Sequence, residues 1–169
     1  MSDPALSSLL NALNGIFIQS GLLREYYVTR NGKEATRRFC GVGEFSGSLA
    51  DLLSQMPAGV FIETLEPCQT LELDWSAVND LSFAHPSLML LMRRFAEGLY
   101  VRKMRREFEM LTLSAAERYA RFAQTATTLE ARLPRHMVAS YLGITPVHLS
   151  RIVGAEKSPT TAAAQPRRR

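Results

Sequence analysis

Residues 135–152 read RHMVASYLGITPVHLSRI, from Arg135 to Ile152. We expect two short helices here, joined by a turn of about three to four residues and crossing at a steep angle. A steep crossing needs a small residue where the two backbones approach, and Ala139 supplies it. The bend needs a positive backbone torsion φ, which Gly143 can adopt. The stretch therefore predicts a helix-turn-helix, with a helical hairpin of no nucleic-acid role as the alternative interpretation.

The two predicted helices have start and stop signals. Pro134 opens the first helix and Gly143 ends it. Thr145 is the predicted N-cap of the second helix and Pro146 its first residue, and this helix is expected to run to about Val153. Apolar side chains are expected to form a small core between the helices: Val138, Leu142, Ile144, Leu149 and Ile152.

The outward residues of the second helix are candidates for DNA contacts, because in such a motif this helix enters the major groove. Arg151 is the best candidate for a bidentate contact to guanine, and Val147 could touch a thymine methyl group. His148 could donate to a base or a phosphate, with a solvated surface histidine as the alternative. Arg135, beside the motif, suits a phosphate but could equally be ordinary solvated charge. The predicted DNA-binding residues are Arg135, Thr145, Val147, His148, Ser150 and Arg151.

The charge of the chain is distributed unevenly. Residues 1–85 contain five Lys or Arg against ten Asp or Glu, a net charge of −5, whereas residues 86–169 contain fifteen against six, a net charge of +9. This split is typical of an acidic module joined to one that meets a polyanion. Charge alone leaves nucleic acid, anionic lipid and an acidic protein open as that partner.

Several function classes find no support in the sequence. No apolar run approaches the roughly 20 residues of a membrane span. Cys40 and Cys68 form no metal-ligand cluster and suit a reducing cytoplasm. His85, His136 and His148 have no neighbouring carboxylate and nucleophile arranged as a relay. We therefore predict no enzyme activity, no metal site and no membrane association, and a cytoplasmic location.

The first half of the chain is predicted to be β structure. Leu22–Thr29 is rich in Tyr, Val and Leu, Asn31-Gly32 follows, and Lys33–Cys40 is a second run, which indicates a hairpin with a type I′ turn. A short helical turn is expected through Leu49–Leu53. Residues 60–65 and 70–73 then suggest a second hairpin. Short alternating strands with tight turns are typical of a small sandwich or roll.

The hydrophobic period changes at Asp74, a plausible N-cap for a helix from Trp75 to about Phe83. Pro86 suits the first residue of a long helix that ends near Leu111. Two apolar stripes run along this helix, which indicates that it buries two faces. One face would pack on the β module and the other on a second copy of the helix. The alternative is a single helix buried within one larger domain. The stripes are Leu88, Met92, Phe95 and Leu99, and Val101, Met104, Phe108 and Leu111.

The predicted fold class is α+β. After the long helix, Ser114 and Glu117 have the spacing of a capping box for another helix. The last residues contain Ala, Pro, Thr and Arg without periodicity, which indicates disorder. The predicted parts are a small β sandwich or roll at 1–85, a dimerisation helix at 86–111, a helix-turn-helix DNA-binding domain at 112–153 and a disordered tail at 154–169.

An ordered set of motifs resembles the Crp/Fnr family of bacterial transcription regulators. The set is FIQSGLLR at 17–24, GKE at 32–34, GEFSGS at 43–48, ERY at 117–119, ASYLGITP at 139–146 and LSR at 149–151. The resemblance implies an N-terminal β-roll of the cyclic-nucleotide-binding type, a long dimerisation helix and a winged helix-turn-helix. It implies a dimer that reads a palindromic operator in double-stranded DNA, with RNA polymerase and a small-molecule effector as candidate further partners.

The effector site departs from the family pattern. Members that bind cyclic nucleotides carry Gly-Glu-Leu-Ala followed about ten residues later by Arg, whereas this chain has Gly47-Ser48-Leu49-Ala50 and Ala58 at the matching positions. A buried phosphate would then lack a cation, so we expect no cyclic nucleotide cofactor. Cysteine ligands for an iron–sulfur cluster are absent too, which argues against the oxygen-sensing branch. The candidate residues of a degenerate effector pocket are Gly43, Glu44, Gly47, Ser48 and Leu49.

The chain also departs from the family at its two ends. It begins near the point where a member already has its first strands, and a tail follows the recognition helix where the family has a β-hairpin wing. We therefore expect an incomplete roll, a helix-turn-helix without a wing, and a marginally stable product with weakened DNA affinity. A regulator is the first prediction. The alternative is a ligand-binding or protein-interaction module whose helix-turn-helix no longer functions.

Overall fold

The structure, a computed structural model, describes residues 14–54, 59–126 and 129–157. The chain divides into two compact units, Met1–Leu113 and Ser114–Arg169. The long helix therefore belongs to the same unit as the strands. The predicted α+β fold with N-terminal sheets is confirmed.

The described part of the first unit contains two three-stranded antiparallel sheets. The inner faces of the sheets bury an apolar cluster of Ile16, Ile18, Leu23 and Cys40, against which Ile62 and Cys68 pack. In the first sheet β1 (Asn14–Ser20) lies between β4 (Phe45–Ser46) and β6 (Gln69–Asp74), and in the second β2 (Leu23–Val28) lies between β3 (Glu34–Cys40) and β5 (Phe61–Thr64).

The predicted hairpin of residues 60–65 and 70–73 is wrong. Strand β5 pairs with β2, where Thr64 faces Leu23, whereas β6 pairs with β1 in the other sheet. The segment between them crosses from sheet to sheet and packs on Gly21, where an added Cβ would lie 2.5 Å from Cys68 Sγ. Alternating apolar residues identify a strand but not its partner. Here each strand buries its apolar face by pairing with a strand distant in sequence, and not with its neighbour in sequence.

The predicted hairpin around Asn31-Gly32 is confirmed, but its turn differs. The N–H of Gly32 donates to the carbonyl of Thr29, and the N–H of Thr29 donates to the carbonyl of Lys33. The loop is therefore Arg30–Gly32, with Gly32 in the left-handed conformation at φ +75°. The Thr29 hydroxyl contributes to this wider loop, because it also accepts the N–H of Lys33.

Within its described residues, the first unit also contains three helices: α1 (Leu49–Ser54), α2 (Trp75–Ala84) and α3 (Pro86–Thr112). The predicted cap is confirmed, since the Asp74 carboxylate accepts the N–H groups of Ser76 and Ala77. The first apolar stripe of α3 is partly buried, and the Phe95 ring lies edge-on to Phe45, 5.1 Å between centroids. The second stripe, Val101, Met104, Phe108 and Leu111, is exposed in the single chain.

The second unit contains α4 (Ala115–Thr125), a 3₁₀ turn (Glu130–Arg132), α5 (Arg135–Leu142) and α6 (Pro146–Lys157). The capping box of Ser114 and Glu117 is confirmed. Helix α6 continues four residues past Val153, so the predicted disorder from residue 154 is wrong as far as Lys157. Ala155 and Glu156 favour helix strongly enough to offset Gly154. The rest of the predicted tail, 158–169, lies outside the described residues.

Candidate nucleic-acid interface

The bend between α5 and α6 depends on Gly143, which has the left-handed torsions φ 70° and ψ 32°. Its N–H is directed at the carbonyls of Ala139 and Ser140, and the N–H of Ile144 donates to the carbonyl of Ala139 at 3.0 Å. This pattern satisfies carbonyls that lack partners at a helix end. Ala139 is fully buried, as a close helix crossing requires.

Helix α6 begins as the sequence predicts. The Thr145 hydroxyl oxygen accepts the N–H of His148 at 3.2 Å, and the carbonyl of Thr145 accepts the N–H of Leu149. Pro146 occupies the first position, where no N–H is needed. The first turn of α6 is therefore fixed, and with it the direction in which its side chains project.

The core beneath α6 contains the predicted residues. Val138, Leu142, Leu149 and Ile152 are buried, and Ile144 is partly buried. Helix α4 adds Tyr119 and Phe122, and the Phe122 ring lies 5.5 Å from that of Tyr141. Arg118 of α4 donates from Nε to the carbonyl of Leu142 at 3.1 Å. Sequence reasoning gave Arg118 no role, because no local pattern connects residues 24 positions apart.

The exposed side of α6 brings together most of the predicted DNA-binding residues. Val147, Ser150 and Arg151 project from the side opposite Leu149 and Ile152, and Val147 is 64% exposed. His148 and Arg151 also line an open groove of about 500 Å³, together with Ala116, Ile152 and Ala155. A side of this kind offers a cation and an apolar surface to the floor of a DNA groove.

The remaining candidates differ in what they can offer. The Ser150 hydroxyl donates to the carbonyl of Pro146 at 3.0 Å, which leaves its oxygen as an acceptor. The Thr145 oxygen is an acceptor within the helix cap, and its O–H suits a phosphate. Arg135 is the first residue of α5 and is exposed, so it lies on a different helix from the other candidates.

The candidate effector-pocket residues lie between the end of β3 and the first residue of α1. Gly43 and Glu44 form a surface turn, in which the Glu44 carboxylate accepts the N–H of Gly41 at 2.8 Å. The Ser48 hydroxyl caps α1 by accepting the N–H of Asp51. The N–H of Gly47 donates to the carboxylate of Glu25, a residue that sequence reasoning did not connect with this region. Ala58 lies outside the described residues.

The signal that could have drawn attention to Glu25 is a charged pair, Arg24-Glu25, inside an apolar strand. Both side chains are buried. Arg24 donates to Glu34 and Glu63 at 2.7 and 2.6 Å and its guanidinium lies over the Tyr26 ring, while Glu25 lies beside Cys40. The pKa of the Cys40 thiol is raised to about 12, mainly because the thiol is buried and next because it lies beside the negative charge of Glu25.

Among the described residues no three His, Cys, Asp or Glu side chains are grouped to hold a metal ion.

Comparisons with known proteins show which proteins this chain is similar to. No family model matches the chain. The chain is 30% identical over 152 residues to the fumarate and nitrate reduction regulatory protein of Escherichia coli, covering 81% of this chain and 58% of that protein. It is 25% identical over 156 residues to the anaerobic regulatory protein of Haemophilus influenzae, covering 85% and 60%. The chain is similar to these regulatory proteins over most of its own length.

Solved structures share the fold of this chain. FixK2 from Bradyrhizobium japonicum matches with a TM-score of 0.74 at 16% identity, over 90% of this chain and 80% of that one. A transcriptional regulator described as Crp/Fnr, from Eubacterium rectale, matches with a TM-score of 0.65 at 17% identity, over 86% and 70%. The chain spans about 60% of the length of the curated relatives it matches. No helix in the described part of the chain has the length and apolar character to cross a membrane.

Proposed function

We propose that this chain is a transcription regulator that binds a palindromic DNA operator as a homodimer. The observation that carries the proposal is the exposed side of α6. Val147 and Arg151 project from it, opposite the buried Leu149 and Ile152. A capped first turn and the bend at Gly143 fix the direction of α6, and the second helix of such a motif is the one that enters the major groove.

The dimer is the second part of the proposal. A two-fold axis explains a palindromic site, with half-sites about one helical turn apart. Helix α3 supports it, because its second apolar stripe is exposed along the last three turns and includes Leu111, which is 78% exposed. Pairing with the same stripe of a second copy would bury these side chains.

We infer two further features of the regulator's setting. A protein that acts on chromosomal DNA works in the cytoplasm of a bacterium. RNA polymerase is the partner through which such a protein would change transcription. The curated relatives support this setting through their names, which describe regulatory proteins.

The experiment begins with selection of binding sites from a random DNA library by the purified protein. Fluorescence anisotropy then gives Kd for the selected and a scrambled site across a salt series. Arg151→Ala should weaken binding to the selected site by about 1–3 kcal/mol and relax specificity at one base pair. Arg135→Ala is the matched control, since loss of a phosphate contact should weaken both sites alike and lower the salt slope by about one.

Two outcomes would contradict the proposal. One is a selection that returns no preferred sequence. The other is an Arg151→Ala protein that distinguishes the selected site from the scrambled site as well as the unchanged protein does.

A further inference from the structure

One carboxylate lies fully buried between the two sheets of the roll. Glu25 is 0% exposed, and its Oε1 accepts from four donors: Ser46 Oγ at 2.9 Å, Gly47 N at 3.0 Å, Arg38 Nη2 at 3.0 Å and Cys40 Sγ at 3.5 Å. Its Oε2 lies 3.1 Å from Arg37 Nη1. The side chain starts on β2 of the second sheet and reaches β4 of the first.

These donors form a cage with the chemistry of an anion site. A backbone N–H, a hydroxyl and two guanidinium groups converging on one position are the groups that bind a small carboxylate or phosphate. Here the chain's own carboxylate occupies that position. A β-bulge after Glu25, where the register of β2 against β3 shifts, accompanies this placement.

The cage includes the segment on which the effector prediction depends. Ser46 and Gly47 immediately precede Ser48 and Leu49, where α1 begins, and both donate to Glu25. The Arg38 guanidinium, which also donates to the carbonyl of Phe45, connects the same segment to β3. The position of the segment is therefore determined from within the chain.

We propose that Glu25 acts as a built-in anionic ligand, which holds the Ser46–Leu49 segment as an external anionic effector would and leaves operator binding independent of such an effector. The statement about operator binding rests on the proposed function. The statement about the cage concerns the roll alone and is tested without DNA.

The test compares the unchanged protein with Glu25→Ala. Each is titrated with sodium acetate, sodium phosphate and cyclic AMP against sodium chloride of equal ionic strength, and the thermal midpoint is followed. The unchanged protein should not respond to any of the three beyond chloride. Glu25→Ala should melt lower and regain part of the loss saturably with acetate, because acetate replaces the missing carboxylate between Arg37 and Arg38.

Two further variants sharpen the result. Glu34→Ala removes a half-exposed carboxylate that pairs with Arg24, and it should show no acetate response beyond chloride. Glu25→Gln fills the cage without charge and should melt lower with no rescue. Should no Glu25 variant fold, the titration of the unchanged protein decides alone: saturable stabilisation by phosphate or cyclic AMP overturns the proposal, and its absence supports it.

Operator affinity of the unchanged protein is measured with and without cyclic AMP and phosphate. A constant Kd, after correction for ionic strength, is expected. A change of tenfold or more would overturn the proposal. If the unchanged protein does not bind an operator, the proposed function fails. The thermal titration still decides the role of Glu25. A Glu25→Ala protein that responds to acetate no more than to chloride overturns the assignment of the cage.

Discussion

Arg118 and Leu142 are joined by a hydrogen bond of 3.1 Å from the guanidinium Nε of the first residue to the carbonyl oxygen of the second. The carbonyl belongs to the last residue of α5, where helix carbonyls lack partners and a positive charge is favourable. The contact ties α4 to the residue just before Gly143. It therefore stabilises the point from which α6 takes its direction.

Replacing Arg118 by Met should lower the free energy of unfolding by about 1.5–3 kcal/mol, the range for a hydrogen bond that involves a charged group. Operator affinity should fall with it, because the end of α5 is no longer held. Urea denaturation followed by far-UV circular dichroism measures the loss. Arg121→Met, at an exposed position of the same helix, is the control and should change stability less. Equal effects of the two substitutions would contradict the role of the contact.

Two glycines of the second unit should respond oppositely to alanine. Gly143→Ala places a Cβ at φ 70°, and we expect it to destabilise by more than about 1 kcal/mol. Gly154→Ala lies within helix α6 with no atom within 4 Å of the added Cβ, and should stabilise by about 0.5–1 kcal/mol. Thermal and urea unfolding of both variants measure the pair. A neutral Gly143→Ala would show that the bend does not require glycine.

Acid should remove the contribution of Glu117 to stability. Hydrogen bonds from the Ser114 hydroxyl and then from its N–H hold the pKa of Glu117 below its ordinary 4.5, with a smaller contribution from Arg121. A carboxylate with a lowered folded pKa stabilises above its unfolded pKa, and this stability is lost as the pH falls through the folded pKa. The thermal midpoint of the unchanged protein should exceed that of Glu117→Gln at neutral pH and converge with it below pH 4.5. A difference independent of pH would argue against an ionised capping box.

The exposed stripe of α3 should control the oligomeric state. Leu111→Asp places a charge on the proposed interface and should shift the protein from dimer to monomer at micromolar concentration. Leu91→Asp is the matched control, because Leu91 is 63% exposed on the same helix but lies off the stripe. Sedimentation equilibrium measures both variants. A dimeric Leu111→Asp protein, or dissociation by both substitutions, would contradict an interface on this stripe.

Features that depend on neighbouring residues could be predicted from the sequence by itself. The caps at Asp74, Ser114 and Thr145 formed as expected, as did the bend at Gly143. Helix periodicity also identified the buried face of the helix-turn-helix and, by exclusion, the exposed Val147 and Arg151. These features follow from local hydrogen bonds and from the 3.6-residue period of the helix. All the residues that determine them lie within a short stretch of sequence.

Features that depend on distant partners were decided only by the tertiary structure. The pairing of β5 with β2 and of β6 with β1 replaced an expected hairpin, because burial of the sheet faces determines which strands meet. The Glu25 cage and the contact of Arg118 with Leu142 each join residues that are far apart in the chain. A charged side chain is stable when buried only if folding brings its partners to it, so its role cannot be assigned from its neighbours in sequence.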